Sequence, residues 1–206
     1  MICPNLGSDK PLQFNGNMET QFKWSQIDKA DNVDCSEGCV LKGFDGLIRT
    51  EEKISASSSF YYEITIEDGK ENNDISFGIT TKSTENGTFP SYSDGIVGYH
   101  ALYRSNGRIY RGVDRLVEQT SKFGVGDTLG FLLKPIIIEG VLVHKCQFIR
   151  NGEESGYSWY LSFGDFYPTI AFGKEAGSDT VVKSNFGQDE FIWKGQNQVL
   201  FLFKII

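Results

Sequence analysis

From Phe22 to about residue 194 the chain is a succession of short β-prone runs, each closed by a turn rich in Gly, Asn or Asp. Val40-Leu41 and Leu47-Ile48 flank Asp45-Gly46, and Phe60-Tyr61-Tyr62-Glu63-Ile64-Thr65-Ile66 ends at Asp68-Gly69. Ile75-Ser76-Phe77-Gly78-Ile79-Thr80 alternates in size and polarity, with Gly78 placed for close backbone approach. Asn106-Gly107 and Asn151-Gly152 each close such a run. These pairs suit two-residue hairpin turns, whose central positions both require positive φ. No segment sustains a helical period; residues 116–120 have room for one turn. Without crossover helices, parallel βαβ folds are excluded. The pattern predicts an all-β fold, an antiparallel β-sandwich of two sheets packed face to face.

Composition agrees. The 206 residues include 23 Gly, above the usual ~7%, and 14% are aromatic. That much aromatic surface needs burial, which argues against disorder. The net charge of -7 repels phosphate, so nucleic acid and anionic membranes are poor partners. Cys3, Cys35, Cys39 and Cys146 match no zinc spacing and are expected to be reduced structural thiols. The N-terminus shows no charged region ahead of a long apolar one, and no apolar run reaches the ~18 residues of a membrane span. A cytoplasmic or nuclear location is therefore expected. Asn86-Gly87-Thr88 matches the glycosylation sequon, which matters only on a secretory route.

The domain reading is an N-terminal arm over residues 1–20, one domain over 21–195, and an apolar C-terminal strand or docking tail over 196–206. Two apolar runs stand out: Ile136-Ile137-Ile138-Glu139-Gly140-Val141-Leu142-Val143 and Val199-Leu200-Phe201-Leu202-Phe203. Either run reads as an inner strand or as a docking surface, because periodicity does not separate a strand buried on both faces from a sticky edge.

Catalytic chemistry finds little support. The two histidines, His100 and His144, have no nucleophile patterned beside them. Glu51-Glu52 and Glu153-Glu154 are adjacent pairs in turns, not the opposed carboxylates of a glycosidase. No phosphate loop ending in Gly-Lys-Ser/Thr is present. The chain reads as a non-enzyme with no cofactor and no metal.

Several pieces carry a resemblance. Trp24-Ser25 and Asp28-Lys29 come first, then Tyr61-Tyr62-Glu63-Ile64, Phe77-Gly78-Ile79 and Asp94-Gly95-Ile96-Val97-Gly98-Tyr99-His100. Asn106-Gly107-Arg108-Ile109-Tyr110, Phe123-Gly124-Val125-Gly126-Asp127, Tyr167-Pro168 and Asn185-Phe186-Gly187-Gln188 complete the series in order. Over roughly residues 22–194 the chain resembles a SPRY domain, most like the Ran-binding protein M type. The Leu-Asp-Pro and Trp-Glu-Val signatures of tripartite-motif PRY–SPRY proteins are absent. The resemblance implies a concanavalin-like two-sheet sandwich whose edge loops bind a partner protein or short peptide. In SOCS-box relatives three loops build a peptide pocket, and their counterparts here are residues 42–44, 79–81 and 172–174. Ile79 stands where those relatives carry an aromatic.

The expected binding residues are Lys42, Phe44, Tyr92, Tyr103, Arg104, Trp159, Phe172 and Lys174, with Phe89 beside Tyr92 in a Gly/Ser/Pro-rich loop. Arg104 is the candidate for bidentate pairing with a partner carboxylate. Arg104→Ala with Trp159→Ala is expected to abolish partner recovery and to spare the thermal melt. Two other readings stay open. One is a structural subunit of a larger assembly, docked by its apolar hairpin or tail. The other is carbohydrate binding, with Trp159, Tyr160 or Tyr92 stacking on a sugar.

Overall fold

The computed structural model describes residues 22–70, 74–83, 101–111, 116–162, 164–177 and 179–195, with residues 111 and 116–119 described as backbone alone. The first strands are β1 (Trp24–Lys29), β2 (Val33–Glu37), β3 (Val40–Gly43), β4 (Gly46–Thr50), β5 (Phe60–Asp68), β6 (Ile75–Thr80) and β7 (Ala101–Arg104). The later strands are β8 (Arg108–Arg111), β9 (Leu116–Gln119), β10 (Thr128–Ile138), β11 (Val141–Arg150), β12 (Glu153–Leu161), β13 (Tyr167–Phe172) and β14 (Val181–Asn185). Together they form two seven-stranded antiparallel sheets, ordered β1-β4-β13-β6-β7-β8-β9 and β12-β11-β10-β5-β14-β3-β2. The expected sandwich is what the chain adopts. Residues 116–119 are a strand, not a helical turn, because pairing with β8 supplies their backbone partners.

Alternation of side chains along each strand puts one set between the sheets. Tyr62, Ile64 and Ile66 of β5 meet Phe77 and Ile79 of β6, and Phe131 and Phe148 complete the centre. Ring centroids lie 5.1 Å apart for Phe131–Phe148, 5.3 Å for Phe77–Phe148 and 5.3 Å for Phe148–Trp159. Each such pair adds ~0.5–1.5 kcal/mol beyond the area it buries. Tyr62 is fully buried and satisfies its hydroxyl by donating to the Gly78 carbonyl at 2.5 Å. Gly78 has φ 148°, and a Cβ there would lie 1.9 Å from the Ala101 carbonyl oxygen. The close approach expected from the sequence is real and joins β6 to β7.

Turn chemistry matches the sequence as well. Asn151 and Gly152 have φ of 51° and 81°, and Glu139 and Gly140 have 51° and 79°, the positive pair that a tight hairpin needs. Pro168 sits one residue into β13. Asp127 accepts the Gly124 N–H at 2.8 Å just before β10 begins.

The β10–β11 hairpin departs from the inner-strand expectation. β10 pairs with β5 only from Thr128 to Leu133, and β11 pairs with β12 only from His144 onward. Among the described residues, 136–143 therefore run past the rest of the sheet as a two-stranded arm. Ile137 is 74% exposed and Val141 61%, with Ile138 and Leu142 also open to solvent. A smaller apolar cluster lies on the outside of the second sheet, where Trp193 covers Leu132, Ile149 and Tyr61. Glu63 holds that segment in place. Its carboxylate accepts the Ile192 and Trp193 N–H groups at 3.1 and 3.0 Å and the Tyr61 hydroxyl at 2.8 Å. Burial, then the adjacent Glu63 charge, pushes the Tyr61 phenol far above its usual range. Residues 1–20, expected as an arm, and 196–206, expected as a tail, lie outside the described residues.

Candidate binding rim

The turn from β3 to β4, the start of β6, the β7–β8 turn and the segment after β13 meet at one end of the sandwich. Asp45, with φ 47°, turns the chain into β4, and its N–H donates to the Gly173 carbonyl at 3.3 Å. The Gly173 N–H in turn donates to the Asp74 carbonyl at 2.6 Å. A Cβ on Gly173 would lie 2.2 Å from Asp74 Oδ2, so only glycine lets these loops close up. Arg104 donates from Nε and Nη2 to the two Asp74 carboxylate oxygens, each at 2.6 Å. Burial opposes the Arg104 charge, but Asp74 overcomes it and raises the guanidinium above its ordinary value.

A second brace holds the neighbouring loops. Asp127 accepts the Gly124 N–H, Asn151 Nδ2 at 2.7 Å and the Arg150 guanidinium at 3.0–3.2 Å. Asn151 Oδ1 accepts the Thr128 N–H at 2.8 Å. Burial raises the Asp127 carboxyl, but these donors outweigh it and hold its pKa below the ordinary value. The rim is thus preorganised by two internal ion pairs and a run of backbone links, which lowers the ordering cost of binding.

The sequence-derived candidates divide into distinct groups. Phe44 is on the rim and 39% exposed, and Lys174 and Lys42 are exposed nearby in the fold, Lys42 in a 3.4 Å surface pair with Glu37. Arg104 is on the rim, but its fork is engaged by Asp74 and not presented for a partner's carboxylate. Tyr103, Trp159 and Phe172 are core residues, not rim residues. Phe172 is fully buried, Trp159 is 5% exposed, and the Tyr103 hydroxyl donates to the Ser121 carbonyl. Inward alternation on β7, β12 and β13 accounts for all three. Tyr92 and Phe89 lie outside the described residues.

Of the three loops carried over from the SOCS-box relatives, residues 42–44 and 172–174 come together at the rim. Residues 79–81 do not, because they end β6 at the opposite end of the sheet. There the buried Arg49 donates to Asp28 at 2.9 and 3.1 Å and to the Thr81 carbonyl at 3.2 Å. Ile79 itself is fully buried. Sequence reasoning missed Val125, which is 50% exposed on a rim loop. Its place in Gly124-Val125-Gly126, ahead of the Asp127 turn, is the signal that marks it as a loop residue.

Other reactive groups are engaged structurally. His144 is buried, with Nε2 3.0 Å from the Ala56 carbonyl and its ring against Phe166. Cys35, Cys39 and Cys146 are free thiols, and burial pushes Cys146 far above the usual thiol range. Among the described residues no group of three or more His, Cys, Asp or Glu is arranged to hold a metal ion.

Comparison with solved structures decides the fold. The SPRY domain of human HERC1 superimposes with a TM-score of 0.55 at 18% identity, covering 77% of this chain and 97% of that one. This chain has the SPRY-type sandwich fold. Peanut lectin, solved with a nine-residue peptide, matches with a TM-score of 0.51 at 11% identity, covering 83% of this chain and 93% of the lectin. The architecture is therefore the two-sheet sandwich that SPRY domains and this lectin share. No protein-family model matches the sequence, and no curated protein matches it.

Proposed function

We propose that this protein is a non-catalytic protein-interaction module that takes an extended segment of a partner protein on the loop rim. The observation that carries this reading is the junction of residues 42–45 with 173–174. Two loops far apart in sequence are locked together through Asp45 and Gly173, and the pair leaves the Phe44 side chain partly open. A preformed rim with an aromatic anchor is what a short segment can bind without reordering the domain. Lys174, exposed in the loop that this junction holds, favours a partner segment that carries an acidic residue as well as an apolar one. The cytoplasmic or nuclear setting to which the sequence leads is part of this proposal.

Selection from a random-peptide library on the purified protein tests this reading. Selected peptides are expected to pair an apolar with an acidic residue, and to lose binding to Phe44→Ala and to Lys174→Glu while both variants keep the wild-type melt. Binders indifferent to both changes overturn the rim assignment.

One observation favours a second reading, docking within a larger assembly. The arm projects from the end of the sandwich opposite the rim and exposes Ile137 and Leu142 on the face that continues from the core side of β10 and β11. Bare apolar surface of this kind marks an interaction site. Ile137→Lys tests it: loss from a native-cell complex with retained folding supports arm docking, and unchanged complex size removes it. Carbohydrate stacking loses Trp159, which is in the core, while Tyr160 stays 50% exposed.

A further inference from the structure

We propose that the outer face of the β10–β11 arm packs on the same face of a second copy of this chain, the two arms lying antiparallel about a two-fold axis. The proposal rests neither on the rim nor on Ile137 and Leu142, which lie on the arm's other face. Register decides which residues share a face. β10 and β11 pair without a shift from Leu129↔Arg150 to Ile138↔Val141. Leu132 and Ile149 belong to the outer cluster under Trp193, so every second residue beyond them faces outward too. From base to tip these are Lys134 with Lys145, Ile136 with Val143, and Ile138 with Val141. Glu139 and Gly140 make the turn at the tip.

The long edge of the arm is blunted against strand addition. The Asp127 carbonyl accepts the Ile66 N–H on the β5 side, and the Thr128 carbonyl accepts the Asn151 N–H on the β11 side. Backbone groups alternate sides along an antiparallel strand, so residues 133, 135 and 137 turn theirs toward the β5 side. Pairing with β5 stops at Leu133. The next donor on that side belongs to position 135, which is proline and has none. What the arm offers a neighbour is therefore its faces.

The outer face is complementary to itself. Lys134 and Lys145 stand directly opposite each other, where like charges repel. Glu139 holds φ 51°, a conformation that its residue type seldom adopts. Among the described residues none of the three has an ion-pair partner. The arm thus carries two unneutralised lysines at its base and a lone carboxylate at its tip, with solvent-exposed Ile138 and Val141 between them. Laying two such arms antiparallel satisfies all of these groups. The Glu139 tip of each copy meets the Lys134 and Lys145 base of the other, and Ile136 with Val143 meets Ile138 with Val141. A parallel overlay would set lysine on lysine.

The overlap is short. From Lys134 to Glu139 the arm rises about 17 Å at ~3.3 Å per residue. A ribbon two strands wide over that length buries less than the ~1,200 Å² in total that a stable interface needs. The dimer is accordingly weak and forms only at high protein concentration.

Sedimentation of the full chain between about 10 and 500 μM tests the proposal, with monomer expected at the low end and dimer at the high end. Lys134→Glu with Lys145→Glu, and separately Glu139→Lys, are each expected to weaken self-association about tenfold while keeping the wild-type melt. An equimolar mixture of these two variants is expected to recover wild-type affinity, because each tip then meets a base of opposite charge. Ile137→Lys, on the other face, is expected to leave self-association unchanged. A wild type that stays monomeric throughout leaves this face to a different protein and overturns the proposal. So does a mixture that associates no better than either variant alone, and so does loss of the dimer in Ile137→Lys.

Discussion

Arg104 and Asp74 form a bidentate ion pair across the rim end of β6 and β7, with both bonds at 2.6 Å and both side chains about four-fifths buried. The backbone carbonyl of the same Asp74 receives the Gly173 N–H. One carboxylate-bearing residue thus ties the β6–β7 pair to the loop that presents Lys174. Arg104→Ala leaves the largely buried Asp74 carboxylate without its fork, and the expected cost is about 2 kcal/mol. Arg104→Lys is expected to recover less than half of it, since an ammonium cannot reproduce two parallel bonds. Urea unfolding of the variants measures both; a loss below ~0.5 kcal/mol for Arg104→Ala contradicts the bracing role.

Gly78 and Gly140 both have positive φ but differ in what a side chain would meet. At Gly78 a Cβ would strike the Ala101 carbonyl oxygen at 1.9 Å, whereas at Gly140 nothing lies within 4 Å. Gly78→Ala must push β6 from β7 and disturb the carbonyl that accepts the Tyr62 hydroxyl. A loss of at least ~3 kcal/mol, or failure to fold, is expected. Gly140→Ala bears only the backbone cost of about 1 kcal/mol. Comparable unfolding midpoints for the two variants would contradict this account.

Asp127 gives the rim a defined response to acid. Its native pKa lies below the ordinary value of 3.8, because Asn151, Gly124 and Arg150 together outweigh the burial that raises it. A lowered native pKa means that the carboxylate form favours the fold. Its stabilisation is full above the unfolded value and is lost as pH falls through the native one. Asp127→Asn is expected to cost about 2 kcal/mol at neutral pH. The gap to the wild type is expected to close as the pH is lowered below 3.8. Urea midpoints across that window check it; a constant gap argues that the effect is steric.

The sandwich was legible because the turns carry their own chemistry. Asn151-Gly152 has the positive φ values that both residue types admit, whereas at Glu139-Gly140 only the glycine does and Glu139 takes φ 51° against its type. Gly78 lies where two backbones touch. The site was less legible, because sequence marks an aromatic on a strand without its direction. Tyr103 next to Arg104 and Trp159 next to Tyr160 differ by one position and so by one face of the sheet. In each pair the aromatic named as a binding residue points inward. Residues 136–143 read either as an inner strand or as a docking surface, and the pairing limits of β5 and β12 decide between them, since no described strand continues beside the arm.

That difference of face yields the last prediction. Trp159 packs on Phe148 at 5.3 Å and is 5% exposed, whereas Phe44 is 39% exposed on a turn. Trp159→Ala empties a large volume between the sheets and is expected to cost about 3–5 kcal/mol. Phe44→Ala removes a half-solvated ring and is expected to cost under ~1 kcal/mol. Adding Arg104→Ala to Trp159→Ala compounds two lesions of stability, so the melt is expected to fall sharply, contrary to the sequence-based expectation that it survives. A binding loss in that double variant would report unfolding. The same loss in Phe44→Ala, with an unchanged melt, would report the rim. Thermal melts of the three variants decide it: if Trp159→Ala melts like the wild type, the inward placement of Trp159 is wrong.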